Sequence, residues 1–165
     1  HQDLLSQILI ATNKVAMIIN SLDQLNNISK KIIDKISKED CILLFGEIGS
    51  GKTTLTRFLI NNLQKKNNSP LTDVLSPTFN IVYEYIIKSY KIMHYDFYRL
   101  KNENEIKQLG VFNHDTDCVK IIEWAEIIKE KPFNRLEVNM LHGKEKNLRS
   151  LKVKGFGKWK NFNGI

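Results

Sequence analysis

The fold is decided by CILLFGEIGSGKT, residues 41–53 of a 165-residue chain. The first five of these residues are apolar without interruption, which predicts a short strand buried on both faces. The remaining eight match the pattern G-x-x-x-x-G-K-[ST] in full, and a helical repeat of apolar residues follows through Leu63. A strand, a glycine loop and a helix in this order favour a phosphate-binding loop (P-loop) over an ordinary glycine turn.

The residues of this loop suit a bound polyphosphate. Its three glycines allow the backbone to wrap closely around phosphate groups, and the helix that begins near Lys52 directs the positive end of its dipole at the same place. We expect Lys52 to reach the β- and γ-phosphates and the Thr53 hydroxyl to bind magnesium. The predicted nucleotide-binding residues of the loop are Gly46, Glu47, Ile48, Gly49, Ser50, Gly51, Lys52, Thr53 and Thr54.

Two acidic residues stand near the ends of further predicted strands, where a P-loop needs partners for magnesium and for the attacking water. Asp96 lies near the end of a predicted strand at 91–97, and Glu123 follows an apolar run in the manner of a Walker B element. Between the P-loop and Asp96, Pro77 leaves Thr78 on a loop, where its hydroxyl is a candidate ligand for magnesium or the γ-phosphate. The alternatives are exposed strand-end carboxylates and, for Thr78, a simple turn.

Further patterns complete the architecture. A capping box begins a helix at Ser21, and a short helix at 103–109 is closed by glycine. A strand at 80–87 turns directly into the strand that holds Asp96, so this part of the sheet is expected to be antiparallel, and a last hairpin surrounds Gly143. Together these elements predict a single α/β domain with a P-loop nucleotide-binding fold, in which helices flank a mixed parallel and antiparallel sheet.

Several isolated residues that often carry chemistry lack the spacing for it. Cys41 and Cys118 are far apart and each opens an apolar run, which predicts buried reduced thiols rather than a disulfide or a metal-binding pair. His94 and His114 have no ligand spacing around them and are expected to be structural or surface residues. Position alone favours a core role for Trp124 over a place beside the nucleotide.

The charge of the chain is unevenly distributed. Its formal net charge is +7, from 25 Lys and Arg against 18 Asp and Glu. Residues 131–165 hold nine basic and two acidic residues, so the whole excess lies in this segment. The alternatives are a docking patch for tRNA or a protein partner and a solvated, Lys-rich surface.

The two ends of the chain are expected to differ from its centre. The first Met is Met17, and helical periodicity starts at about residue 21. We therefore predict a non-native or disordered extension at 1–16, a P-loop ATPase domain at 17–154, and a basic aromatic tail at 155–165. Because neither a run of about 18 apolar residues nor a secretory pattern is found, we expect a cytoplasmic protein that does not cross a membrane.

Five segments, in order, resemble the TsaE family (also called YjeE), the small bacterial P-loop ATPases of tRNA threonylcarbamoyladenosine biosynthesis. They are GEIGSGKTTL (46–55), SPTF (76–79) with YEY (83–85), HYDFYRL (94–100), LG (109–110) and IEWAE (122–126). The P-loop is common to many families, whereas S-P-T-F, H-x-D-x-Y-R-L and E-W-x-E together are specific to this one. The likeness spans about residues 21–153. Glu47 stands where Asp is more usual, and Ala125 stands where Pro is more usual.

The resemblance implies that ATP or ADP binds with Mg²⁺. It implies that Thr78 belongs to a switch-like loop and that Trp124 joins the nucleotide-binding residues beside the site. On the same basis, the predicted catalytic residues are Lys52, Thr78, Asp96 and Glu123, and the predicted metal ligands are Thr53, Thr78, Asp96 and Glu123.

The resemblance further implies a weak, Mg²⁺-dependent ATPase that acts on a complex of the TsaB and TsaD proteins and contacts tRNA only indirectly. Two other classes stay open. A small-molecule P-loop kinase commonly uses several arginines and a lid, whereas this chain has four arginines and no lid-like insertion. A nucleic-acid-binding module that retains a nucleotide loop would bind tRNA with a steep salt dependence.

Overall fold

Seven strands form one β-sheet in the computed structural model, which describes residues 14–113 and 117–164. They are β1 (Lys14–Ile19), β2 (Cys41–Phe45), β3 (Val82–Ile87), β4 (Tyr90–Asp96), β5 (Val119–Glu123), β6 (Arg135–His142) and β7 (Arg149–Phe156). Across the sheet they follow the order β1-β7-β6-β2-β5-β4-β3.

The centre of the sheet is parallel and its two margins are antiparallel. Strands β6, β2, β5 and β4 run in the same direction, while β3, β7 and β1 each pair antiparallel with a neighbour. The uninterrupted apolar run of β2 suits its central place, because both faces of a central parallel strand are covered, and residues 41–44 are buried. The predicted mixed α/β sheet is therefore confirmed, including the antiparallel β3–β4 pair and the last hairpin.

Within the described residues, three α-helices flank the sheet: α1 (Leu22–Lys35), α2 (Lys52–Lys66) and α3 (Glu103–Leu109). Helix α1 begins at the predicted cap, where Ser21 Oγ accepts a hydrogen bond from the Gln24 backbone N–H at 3.2 Å. Helices α1 and α2 share the main apolar core with one face of the sheet, and α3 contributes Ile106 to a smaller core on the opposite face. Among the helices of the described residues, none has both the length and the apolar character that a membrane crossing requires.

The carboxyl ends of the parallel strands bring the predicted site segments together. Strand β2 runs directly into the P-loop, and β4 and β5 end at Asp96 and Glu123, which are opposite each other in the sheet register. Leu44 of β2 is the register partner of Glu123 on its other side. Glu123 therefore stands between the P-loop and Asp96, at the edge where open α/β sheets bind their ligands.

Both ends of the described chain belong to the domain, which corrects two predicted boundaries. Strand β1 pairs with β7 from Lys14 onward, so residues 14–16 are part of the sheet, while residues 1–13 lie outside the described residues. Strand β7 continues to Phe156, and Trp159 and Phe162 are buried in the main core. Residues 155–164 therefore complete the fold instead of forming a separate tail, because their aromatic side chains fill the core.

Several basic residues of the C-terminal segment make contacts within the fold. Lys158 Nζ lies 2.5 Å from Asp40 Oδ2, and the side chains of Lys131 and Arg135 both approach the carboxylate of Glu137. Part of the positive charge is thus engaged in structural ion pairs. A docking role for the rest of the basic segment stays a prediction.

Candidate functional site

The P-loop, residues 46–53, has a backbone that favours glycine at three positions. The φ angles of Gly46, Gly49 and Gly51 are 142°, 74° and 109°. At Gly46 a side chain is excluded by space as well, because an added Cβ would lie 2.3 Å from the carbonyl oxygen of Met140. Gly51 caps α2 without a side-chain hydrogen bond, so the first amides of this helix are open to an anion.

The Lys52 side chain folds back over the P-loop. Its Nζ donates to the carbonyl oxygens of Gly46 at 2.6 Å and Glu47 at 2.8 Å, and it lies 3.9 Å from the centroid of the Trp124 ring. Burial lowers the pKa of the Lys52 ammonium group, and nearby carboxylates oppose that shift. The loop thus holds a cationic donor at the place where a phosphate would lie.

Glu123 is held between α2 and the sheet. Its Oε1 accepts a hydrogen bond from Thr53 Oγ1 at 2.7 Å, and its Oε2 lies 2.5 Å from Nε2 of His94. The side chains of Glu123 and His94 are both buried. Two of the predicted metal ligands, Thr53 and Glu123, are therefore in direct contact.

Asp96 is turned toward the loop that carries Thr78. Its Oδ2 accepts hydrogen bonds from Ser76 Oγ at 2.5 Å and from Thr78 Oγ1 at 3.1 Å. Its Oδ1 accepts the backbone N–H of Tyr98 at 2.9 Å. Asp96 therefore ties the Thr78 loop to the end of β4.

Trp124 lies at the margin of the core, whereas its position in the sequence alone suggests a place inside it. It follows β5 with a φ of 56°, and it is half-buried, packed against the smaller core. The Trp124 ring contacts the Lys52 ammonium group. The centroids of the Trp124 and Tyr98 rings lie 4.8 Å apart. Trp124 is therefore a wall of the site.

The predicted residues meet at one cavity of about 370 Å³, which we call the phosphate cavity. The predicted residues that line it are Ile48, Gly49, Ser50, Gly51, Lys52, Thr53, Thr54, Thr78, Asp96, Glu123 and Trp124. Ser76 and Tyr98 complete its wall. Gly46 and Glu47 contribute differently, since their carbonyl oxygens hold Lys52.

Four residues at the site had no place in the site assigned from the sequence: Ser76, His94, Tyr98 and Glu126. Glu126 Oε1 accepts the backbone N–H of Gly46 at 3.0 Å and so holds the first residue of the P-loop. His94 fits the expected structural role only in part, because it contacts a predicted catalytic residue. All four lie in the segments that carry the family resemblance, and this resemblance was the one feature of the sequence that could have indicated a place at the site. His114 lies outside the described residues.

A second cavity, of about 440 Å³, lies against the other side of the P-loop. Gly49, Ser50, Gly51 and Thr54 line both cavities. The rest of its wall comes from the junction of β1 with α1 at residues 19–22 and from the β6–β7 hairpin, including Arg149 and Leu151. We call it the hairpin cavity.

The donor atoms at the phosphate cavity fit magnesium. Within residues 14–113 and 117–164, no group of three or more His, Cys, Asp or Glu side chains is arranged to hold a metal ion. Mg²⁺ does not require such a group, because it commonly binds one or two protein oxygens together with phosphate oxygens and water. The adjacent hydroxyl of Thr53 and carboxylate of Glu123 are a suitable pair.

The sheet order, the P-loop and the strand-end carboxylate define a P-loop NTPase fold. The structure is similar to the crystal structure of YdiB from Bacillus subtilis, with a TM-score of 0.67 and 22% sequence identity, over 88% of each chain. At this identity the likeness concerns the fold.

The chain belongs to the TsaE family. The family model described as "Threonylcarbamoyl adenosine biosynthesis protein TsaE" matches residues 19–151. A relative named tRNA threonylcarbamoyladenosine biosynthesis protein TsaE, from Rickettsia typhi, is 36% identical over 84% of this chain and 94% of its own length. One of the same name from Aquifex aeolicus is 29% identical over 81% of this chain and 92% of its own length. The resemblance seen in the sequence is thus confirmed, and with it a role in threonylcarbamoyladenosine biosynthesis.

Proposed function

We propose that the protein binds ATP and ADP with Mg²⁺ at the phosphate cavity and hydrolyses ATP slowly. The observation that carries this proposal is the meeting of Lys52, Thr53 and Glu123 at one cavity beside the glycine loop. A cationic donor, a hydroxyl and a carboxylate in this arrangement are what phosphate recognition and magnesium binding need. Membership of the TsaE family supports the same function.

Each residue has a defined part in the proposal. Lys52 exchanges the carbonyl oxygens of the P-loop for the β- and γ-phosphate oxygens, and the open amides at the start of α2 donate to the same phosphates. Thr53 and Glu123 hold Mg²⁺, which when bound offsets the negative charge of the phosphates. Asp96 keeps Thr78 on the wall of the cavity, where either residue can serve the metal or the attacking water.

The nucleoside part of the ligand is proposed to lie in the hairpin cavity. Because the same P-loop residues line both cavities, a ligand with its phosphates in the first can extend directly into the second. Asn20 and Ser21 offer polar atoms there, while Leu25 and Leu151 offer apolar surface. This mixture suits a purine nucleoside. Trp124 contacts the phosphate side of the ligand.

We further propose that this ATPase acts on a complex of the TsaB and TsaD proteins during cytoplasmic tRNA N6-threonylcarbamoyladenosine modification. The support is family membership together with a site whose groups suit phosphate and metal. In this proposal the transfer to tRNA belongs to the partner complex, and contact of this chain with tRNA is indirect.

Release of phosphate from ATP tests the site assignment. Hydrolysis in Mg²⁺ is compared among the native protein, Lys52→Ala, Glu123→Ala and a control, Lys144→Ala, which removes a charge from an exposed turn. We expect activity to be lost in Lys52→Ala, strongly reduced in Glu123→Ala and retained in the control. Unchanged hydrolysis in both site variants would contradict the assignment.

Reconstitution with cognate TsaB and TsaD tests the partner role. We expect the native protein to associate with the complex in the presence of ATP and Mg²⁺ and to increase the amount of modified tRNA formed over repeated turnovers. Absence of association for a protein that does hydrolyse ATP would contradict the partner role and leave the nucleotide site standing.

A further inference from the structure

His94 is the most deeply buried titratable side chain near the site. It lies on β4 two residues before Asp96, on the face of the sheet that is covered by α1 and α2, and its side chain is fully buried. One ring nitrogen, Nε2, lies 2.5 Å from Oε2 of Glu123. The other, Nδ1, is buried and has no hydrogen-bond partner among the described residues.

The two carboxylate oxygens of Glu123 contact two different elements of the fold. Oε1 accepts from Thr53 at the start of α2, and Oε2 faces His94 on β4. An ionised carboxylate only accepts hydrogen bonds, so Nε2 of His94 is the donor of this contact when Glu123 is ionised. The imidazole and the Thr53 hydroxyl together therefore hold the carboxylate by both of its oxygens.

Packing alone does not account for a histidine at this position. An aliphatic side chain would fill the same interior without leaving a buried nitrogen unpaired, and an unpaired buried polar atom costs stability. The ring therefore carries a cost at Nδ1 and makes its one described polar contact at Nε2. That contact is with a proposed metal ligand, and groups that orient metal ligands in this way tune metal affinity.

We propose that His94 is a positioning residue, which holds Glu123 so that its Oε1 is directed at Thr53 and at the Mg²⁺ of the bound nucleotide. The proposal rests on the proposed function, because it concerns the same metal site. It assigns to His94 no contact with the nucleotide itself. Loss of the Nε2 donor should therefore weaken the contribution of Mg²⁺ to nucleotide binding while leaving metal-free binding in place.

Two variants of His94 distinguish the effect of its hydrogen bond to Glu123 from the effect of its packing. In His94→Gln the side-chain amide nitrogen reaches about as far as Nε2, whereas in His94→Asn the amide is one bond shorter. The affinity for ADP is measured by calorimetry in Mg²⁺ and again in EDTA, and the ratio of the two affinities reports the metal contribution. Circular dichroism and the thermal midpoint establish that each variant is folded.

We expect His94→Asn to lower this ratio by about tenfold or more, with ADP affinity in EDTA unchanged, and His94→Gln to keep most of it. In a Glu123→Ala background, His94→Asn should have no further effect on the ratio. The electron paramagnetic resonance spectrum of Mn²⁺ with ADP should also change in His94→Asn and resemble that of the native protein in His94→Gln.

Three results would overturn the inference. The first is a folded His94→Asn protein that has the native ratio of ADP affinities in Mg²⁺ and in EDTA. The second is a decrease of this ratio by His94→Asn that is equally large in the presence and in the absence of Glu123. The third applies if His94→Asn does not fold, and it is a large decrease of the ratio in His94→Gln. A native protein whose ADP affinity is the same in Mg²⁺ and EDTA would instead contradict the proposed function, so the two failures are distinguishable.

Discussion

Replacing Lys158 by Met tests whether the basic C-terminal segment is part of the fold. Lys158 lies in the short 3₁₀ turn after β7, and its Nζ is 2.5 Å from Oδ2 of Asp40, in the connection between α1 and β2. The ammonium group also donates to the carbonyl oxygen of Lys35 at 2.9 Å and to the hydroxyl of Ser37 at 2.5 Å. Methionine keeps the apolar stem and removes the charge with all three contacts.

The exposure of the two partners sets the expected magnitude. The side chain of Asp40 is 3% exposed and that of Lys158 is 32% exposed. Removing one partner of a fully buried pair costs about 3–5 kcal/mol, whereas a fully exposed pair contributes about 0.2–1 kcal/mol. Asp40 keeps the hydrogen bond from the Ser37 backbone N–H at 2.7 Å. We therefore expect the free energy of unfolding to fall by about 2 kcal/mol.

Urea denaturation followed by far-ultraviolet circular dichroism measures this change. Lys144→Met is the matched control, because it removes the same charge from an exposed position. Adding Asp40→Asn to Lys158→Met should restore part of the lost stability, since no unpaired charge then stays buried. A loss below about 0.5 kcal/mol, or one equal to that of the control, would show that the contacts of Lys158 do not stabilise the fold.

Three further predictions concern the P-loop, a buried thiol and the Thr78 loop. Gly46→Ala should destabilise the protein by about 2–3 kcal/mol in thermal denaturation, and Gly49→Ala should cost less, because an added Cβ at Gly49 meets no atom within 4 Å. Burial raises the pKa of the Cys41 thiol from 9.0 to about 12, so the thiol loses its proton at a lower pH in the unfolded chain than in the folded protein. The free energy of unfolding should then decrease as pH rises above 9.0, and less steeply in Cys41→Ala, in urea titrations at stepped pH. Ser76→Ala should lower ATP hydrolysis by about tenfold without unfolding the protein, because its hydroxyl donates to the Asp96 carboxylate; native hydrolysis in this variant would argue against that tether.

The elements that local sequence specifies could be predicted, and an edge strand could not. The apolar run of β2, the glycine loop and the caps at Ser21 and Gly110 each depend on neighbouring residues alone, and the structure confirms them. Both cysteines are buried thiols, as expected. Strand β1 was missed because its partner, β7, lies about 130 residues further along the chain, so its short alternating pattern acquires meaning only in the folded sheet.

The same distinction applies to the site. The presence of Asp96 and Glu123 at strand ends follows from the pattern of the sequence, but the contacts of these carboxylates depend on which strands are neighbours. Since β4 and β5 are separated by α3 in the chain, their register was not evident, and neither was the contact between His94 and Glu123. Trp124 was misjudged from position alone because its ring, packed at the margin of the smaller core, also contacts Lys52 and Tyr98, and these contacts join residues that are distant in the sequence.

The most direct test of a nucleotide site at the phosphate cavity is calorimetric titration of the native protein and of Lys52→Ala with ADP in the presence of Mg²⁺. We expect saturable binding to the native protein, weaker binding when EDTA replaces Mg²⁺, and loss of binding in Lys52→Ala with the fold retained. Equal binding by the native protein and Lys52→Ala, or no binding by a folded native protein, would contradict the claim that the phosphate cavity is a nucleotide site.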